Sequence, residues 1–135
     1  MTSSWQIHPN VHLGDGAQIG FYSILGHPPR GGEPGELETR IGERAVVRSH
    51  TVIYAGSVIG DDFETGHGVL IRESCQVGHD VSIGSHTVVE HHVRIGDGVR
   101  VHSNAFIPEE TILDSGCWIG PNAVLTNAKY PLSDQ

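Results

Sequence analysis

The chain has 135 residues and a formal net charge of −8, sixteen acids against eight bases, with Lys129 its single lysine. That balance excludes non-specific nucleic-acid binding, which needs a basic stripe. No apolar run approaches the roughly 18 residues of a membrane span, and the opening Met-Thr-Ser-Ser-Trp is not a secretory signal. The expectation is a single cytoplasmic domain, 1–135, of adequate core size. Glycine, at 18 residues, is about twice its usual share. Ile and Val together outnumber Leu by 26 to 7, which favours strands. Ten histidines are the oddest feature and point to either a metal site or proton transfer.

In chain order, the first element is a block with an aliphatic residue every six positions: Ile7, Leu13, Ile19 and Leu25, with Val11, Ala17 and Ser23 between. The segment 26–40 follows, beginning GHPPRGGEPGELET. It is too rich in Gly, Pro and Glu for the same pattern and predicts a long excursion, either a functional lid or a disordered loop. A second array then starts at Ile41 and steps by six to Leu125. Fourteen of its fifteen positions are aliphatic, Thr65 being the exception. The residue four further on is small or apolar throughout, from Ala45 and Thr51 to Cys117 and Ala123. Glycine follows the aliphatic residue in ten of the nineteen hexads.

A period of six fits no helix. It fits a short strand and a corner, with glycine expected to supply the backbone freedom of the bend. Three such sides close a coil of eighteen residues, and coils stack as parallel strands about 4.8 Å apart. The aliphatic residues then fill a prism in which each coil buries its neighbour. Cys75 and Cys117, 42 residues apart, are separated by more than two coils and lie beyond disulfide reach. They read as core thiols. The pattern resembles the hexapeptide-repeat acyltransferases, whose fold is the left-handed parallel β-helix. The fold class is therefore all-β, about six coils with one long loop excursion. The handedness comes from the resemblance alone, since the general crossover rule favours the right hand.

Residues eighteen apart stack in columns. One corner column reads Ala55, Glu73, His91, Glu109, Asn127, which places a histidine between two carboxylates. A carboxylate can fix the tautomer of a histidine and raise its basicity, leaving the other ring nitrogen as a general base. His91, Glu73 and Glu109 are accordingly the candidate catalytic residues. The neighbouring column, Tyr54, Arg72, Glu90, Pro108, offers an Arg72–Glu90 ion pair. Just before this corner, Val52, Leu70, Val88, Phe106 and Val124 form an outward apolar ridge suited to packing against another subunit. The other histidines scatter: His50 and His86 share a column, His67 and His79 occupy different corners, and His8, His12 and His27 belong to the first block.

The segment TVVEHHVRIGDGVRVHSNA resembles the catalytic segment of PglD-type sugar acyltransferases, in which a histidine after a β-branched run and an acid serves as general base. His91 takes that position. The next residue, usually acidic in the family, is His92, and Glu73 or Glu109 is the substitute the columns offer. WIGPNAVLTNAKYP is similar to a segment of nucleotide-sugar N-acetyltransferases. These resemblances imply a homotrimer with a site at each subunit interface. They imply acetyl-CoA as acyl donor, a sugar or nucleotide-sugar acceptor acylated on nitrogen or oxygen, and no required metal. Arg94, Arg100, Lys129 and Asn127 are the candidate cofactor contacts. Family members usually continue past the TN-x-x-YP segment into further coils and a helix that helps seat CoA, whereas the sequence stops at Gln135. A second expectation is therefore a non-catalytic binding or scaffold subunit. A third comes from TGHGVLIRESCQVG, which resembles the zinc segment of γ-class carbonic anhydrases. His67 stands on the first ligand position but Arg72, a permanent cation, on the second.

Overall fold

The six-residue period becomes a two-residue strand followed by a corner. The computed structural model describes residues 4–127, and within them the chain winds as a parallel β-solenoid of about six turns. Its first face pairs Gln6–Ile7, Ile24–His27, Val52–Tyr54, Leu70–Ile71, Val88–Val89 and Phe106–Ile107 in that order. The second face pairs Val11–Leu13, Thr39–Ile41, Val58–Ile59, Gln76–Val77, Arg94–Ile95 and Ile112–Leu113. The third pairs Gln18–Ile19, Val46–Val47, Glu64–Thr65, Ser82–Ile83, Arg100–Val101 and Trp118–Ile119. No helix among the described residues is long and apolar enough to cross a membrane.

The register is eighteen residues per turn, as in Ile71↔Val89 and Val77↔Ile95. It lengthens once, to 28, where Leu13 pairs with Ile41, Ile19 with Val47 and Leu25 with Ile53. The two blocks of the sequence therefore share one register, and the corner after Leu25 carries ten extra residues. A bulge between Leu25 and His27 marks the departure point. Gly26 sits there with φ +78°, and a Cβ on it would strike the Val11 side chain.

The inward row is the core. Leu25, Ile41, Ile53, Ile59, Ile71, Ile83, Val89 and Ile107 are all at most 2% exposed. Thr65, the polar exception, is equally buried and finds partners: its Oγ1 accepts from the Arg48 backbone N–H at 3.1 Å and lies 3.4 Å from Thr51 Oγ1. Buried hydroxyls at the corners satisfy backbone groups that the short ladders leave over. Ser57 Oγ donates to the Arg72 carbonyl and accepts from the Cys75 N–H. Thr87 does the same for His102 and Ala105.

The glycines correct the expectation drawn from the sequence. Positive φ recurs at every sixth residue from Arg44 to Asn122, three positions beyond the inward aliphatic, and is mostly held by residues other than glycine. The glycine directly after the aliphatic has ordinary backbone angles except at Gly26. It is needed for closeness: a Cβ on Gly84 would fall 2.5 Å from the Ser103 nitrogen of the next turn. Apart from Gly26, these glycines follow the second and third faces. On the first face the same position holds His8, Tyr54, Arg72, Glu90 and Pro108 besides Gly26, so its corner carries more functional side chains than the other two.

Candidate functional site

The corner between the first and second faces gathers the candidate catalytic residues. Backbone bonds stack it turn on turn: the His92 N–H donates to the Glu73 carbonyl and the Glu110 N–H to the His91 carbonyl, each at 3.1 Å. His91 thus lies between Glu73 and Glu109 in its column, with its side chain half-buried. The rings and carboxylates sort differently from the backbones. His91 Nδ1 lies 2.9 Å from His92 Nδ1, with the rings edge-on at 88°. Among the described residues, His91 forms no ion pair with Glu73 or Glu109.

Glu73 is engaged elsewhere. Arg72 Nε donates to Glu73 Oε1 at 3.0 Å, while Arg72 Nη1 reaches Glu90 Oε2 at 3.1 Å. The guanidinium also lies over the Tyr54 ring, 5.2 Å from its centre, and Tyr54 packs edge-on against His27. Burial opposes ionisation of Glu73. Its own backbone N–H, the Arg72 bond and charge, and the nearby His91 nevertheless hold the carboxyl below its usual range. The Glu109 carbonyl accepts from Asn127 Nδ2 at 2.7 Å. Beneath the corner, burial pushes the Cys75 thiol up to about 11, and its Sγ donates to the Glu90 carbonyl. Cys75 and Cys117 are both free.

The candidate cofactor contacts separate onto different faces. Arg94 projects from the second face, three residues beyond His91, and makes no ion pair among the described residues. It lines a groove of about 460 Å³ with Val58, Gln76, Ile112 and Ser115. Arg100 projects from the third face and is bound to Asp80, by its carboxylate at 3.0 Å and its carbonyl. Lys129 lies outside the described residues.

Outward rows distinguish the three faces. The second carries His12, Arg40, Val58, Gln76, Arg94 and Ile112, and the third Gln18, Val46, Glu64, Ser82, Arg100 and Trp118. The first is apolar from Ile24 through Val52, Leu70, Val88 and Phe106 to Val124, which pairs with Phe106 as an isolated bridge. The ten-residue insertion leaves from the same corner as His91, several turns away. It returns with Asn10 Nδ2 donating to the Gly35 carbonyl and Leu37 beside Gly56.

His67 and Arg72, the two positions compared with a zinc site, point to different partners. His67 Nδ1 lies 2.9 Å from Ser49 Oγ, whereas Arg72 is held by Glu73 and Glu90. Among the described residues, no three His, Cys, Asp or Glu side chains converge as metal ligands. Sequence reasoning missed the ring-to-ring contact of His91 and His92. The adjacency was visible, but rotamers were not.

With the repeat, the register and the corner in place, comparison with known proteins is decisive for one segment. Residues 74–109 match the family model described as bacterial transferase hexapeptide, six repeats. That likeness covers 36 of the 135 residues. The matched stretch runs from Ser74 to Glu109 and so includes His91, His92 and Arg94. A solved structure from Bacillus cereus, whose name gives acetyl transfer as its inferred activity, superposes with a TM-score of 0.57 at 17% identity. The match covers 87% of this chain and 73% of the other. At that identity the likeness concerns the fold. No curated protein matches the sequence.

Proposed function

We propose that the protein is an acyl-CoA-dependent acyltransferase that moves an acetyl group from acetyl-CoA to an amino or hydroxyl group of a sugar or nucleotide-sugar. The observation that carries this reading is the partly buried residue His91 at a corner followed three residues on by Arg94, which lines a groove and has no ion pair among the described residues, both residues lying inside the hexapeptide segment. The Bacillus cereus likeness is in keeping with it.

In this reading His91 takes the proton of the acceptor N–H or O–H as that atom attacks the thioester carbonyl. A backbone N–H stabilises the oxyanion. The C–S bond then breaks, the His91 imidazolium gives its proton to the departing sulfur, and the free thiol leaves without an acyl-enzyme intermediate. Arg94 holds a phosphate of the donor, and the apolar walls of its groove, Val58 and Ile112, suit the uncharged pantetheine arm. The apolar outer row of the first face packs against another copy of the chain, placing the His91 corner at the edge of a homotrimer interface.

The test is a screen of amino sugars and nucleotide-sugars with acetyl-CoA, following thiol release. At least one acceptor is expected to give thiol, and His91→Ala to abolish it while acetyl-CoA still binds by calorimetry. Release that persists in His91→Ala removes His91 from the reaction. Absence of both binding and release in the assembled protein favours the scaffold role.

A further inference from the structure

The contact between His91 and His92 has a chemical consequence. An Nδ1···Nδ1 separation of 2.9 Å is a hydrogen bond only if one of the two nitrogens carries a proton. A neutral imidazole has one N–H and one lone pair, so the pair has two arrangements. If His92 donates, His91 Nδ1 uses its lone pair there and its Nε2 holds the proton, which disables His91 as a base at Nε2. If His91 donates, its Nε2 is left with a lone pair, and His92 carries its own proton on Nε2. The second arrangement suits the exposed ring, whose Nε2–H can meet water, and it leaves the basic nitrogen on the half-buried ring.

We propose that His92 is a positioning residue: its Nδ1 accepts from His91 Nδ1–H, fixing His91 in the tautomer whose Nε2 is free to take a proton. This deepens the acyl-transfer reading and rests on it for the proton's source. When Nε2 takes the acceptor's proton, His91 becomes an imidazolium, and its Nδ1–H bond to His92 is then charge-assisted and stronger. No proton moves between the rings in this step, and no bond to His92 breaks.

The surroundings leave this work to His92. Glu73 and Glu109 flank His91 in its column, but Glu73 is bound by Arg72, and neither forms an ion pair with the ring among the described residues. Ser74 and Glu110 flank His92 in its own column, and Arg72 and Glu90 pair with one another in the next. His92 also stands at the repeated left-handed position, with φ 56°. Equivalent positions are held by Gly98 and Asn104, so His92→Gly and His92→Asn place no new demand on the backbone. The first deletes the acceptor, and the second offers a side-chain carbonyl in its place.

The test joins nitrogen-15 NMR of the histidine rings with the thiol-release assay. In the native protein His91 is expected to carry its neutral-state proton on Nδ1. In His92→Gly that proton moves to Nε2, and acyl transfer falls roughly tenfold or more, the scale on which orienting partners act, with the KM for acetyl-CoA little changed. His92→Asn restores both the tautomer and most of the rate. Finding the proton on Nε2 of His91 in the native protein overturns the assignment, as does a tautomer indifferent to His92→Gly or not restored by His92→Asn. If the tautomers behave as stated while no acceptor releases thiol, the pairing stands and the acyl-transfer reading falls.

Discussion

Arg72 binds Glu73 through two nitrogens, with Nε at 3.0 Å from Oε1 and Nη2 at 3.4 Å from Oε2. The two are sequence neighbours, and the carboxylate side chain is only 18% exposed. Against burial, its own backbone N–H and then this pairing hold the Glu73 carboxyl below its usual range beside His91. Arg72→Gln is expected to destabilise the fold by about 1–2 kcal/mol at neutral pH, through loss of charge-assisted bonds in a half-screened site. The sign with pH follows from Glu73. Its folded pKa lies below the reference value of 4.5, so its contribution is complete above that value and is lost as pH falls through the lower, folded one. Urea unfolding of both proteins at pH 7 and pH 3 should therefore show the difference shrinking in acid. An equal difference at both would remove Glu73 as its source.

Two glycines of similar appearance in the sequence should behave unequally. A Cβ on Gly84 meets the Ser103 nitrogen at 2.5 Å and the His102 carbonyl carbon at 2.6 Å, all of it backbone of the next turn. A Cβ on Gly98 meets nothing within 4 Å, and only its φ of +69° opposes a side chain. Gly98→Ala is expected to cost about 1 kcal/mol. Gly84→Ala should cost roughly 3 kcal/mol or more, in the range reserved for defined steric faults. Thermal melts of the two variants decide it, and equal losses would contradict the close-approach account.

His8 gives the first turn a pH dependence. Its Nε2 is buried without a hydrogen-bond partner among the described residues, and burial, followed by the neighbouring His27, lowers its pKa from 6.5. Between that lowered value and 6.5 the unfolded chain binds a proton that the folded chain does not, so stability declines as pH drops through this window. His8→Phe should flatten that part of the stability profile between pH 7.5 and 5.5. A variant as acid-sensitive as the parent across the window would show that other groups set it.

The two arginines proposed for the donor differ in how much of their charge is available. Arg94 has no ion-pair partner among the described residues and lines the groove, whereas Arg100 is bound to Asp80 on another face. Arg94→Ala is expected to raise the KM for acetyl-CoA roughly tenfold, the effect of about 1.4 kcal/mol of lost binding. Arg100→Ala should leave KM unchanged and lower the melting temperature instead. Steady-state kinetics with donor concentration varied would reverse the assignment if Arg100 carried the larger effect.

The prism was legible because its interior repeats without a slip: a strict six-residue row of aliphatics has few other uses. The relation of the two blocks was not, because a ten-residue insertion at one corner shifts the numbering by a non-multiple of six while leaving strand pairing intact. Column arithmetic also placed Glu73, His91 and Glu109 correctly along the backbone. It was silent about side chains, since a spacing of about 4.8 Å allows a ring to turn toward its sequence neighbour as readily as toward the turn above. Glu73 went to Arg72, and His91 to His92. The separation of Arg94 from Arg100 follows from their six-residue offset, which puts them on successive faces of the coil.

The left-handed position that recurs at every corner bears on composition. That backbone region is rare for most residues, but asparagine, aspartate and histidine enter it several-fold more readily than others. His50, His86 and His92 all occupy it, alongside Asn10, Asn104, Asn122, Asp62 and Asp80. Part of the chain's unusual histidine content is thus recruited by conformation and needs no ligand or proton to explain it. Exchange of histidine for asparagine at 50 or 86, both at that left-handed position, should cost the fold little.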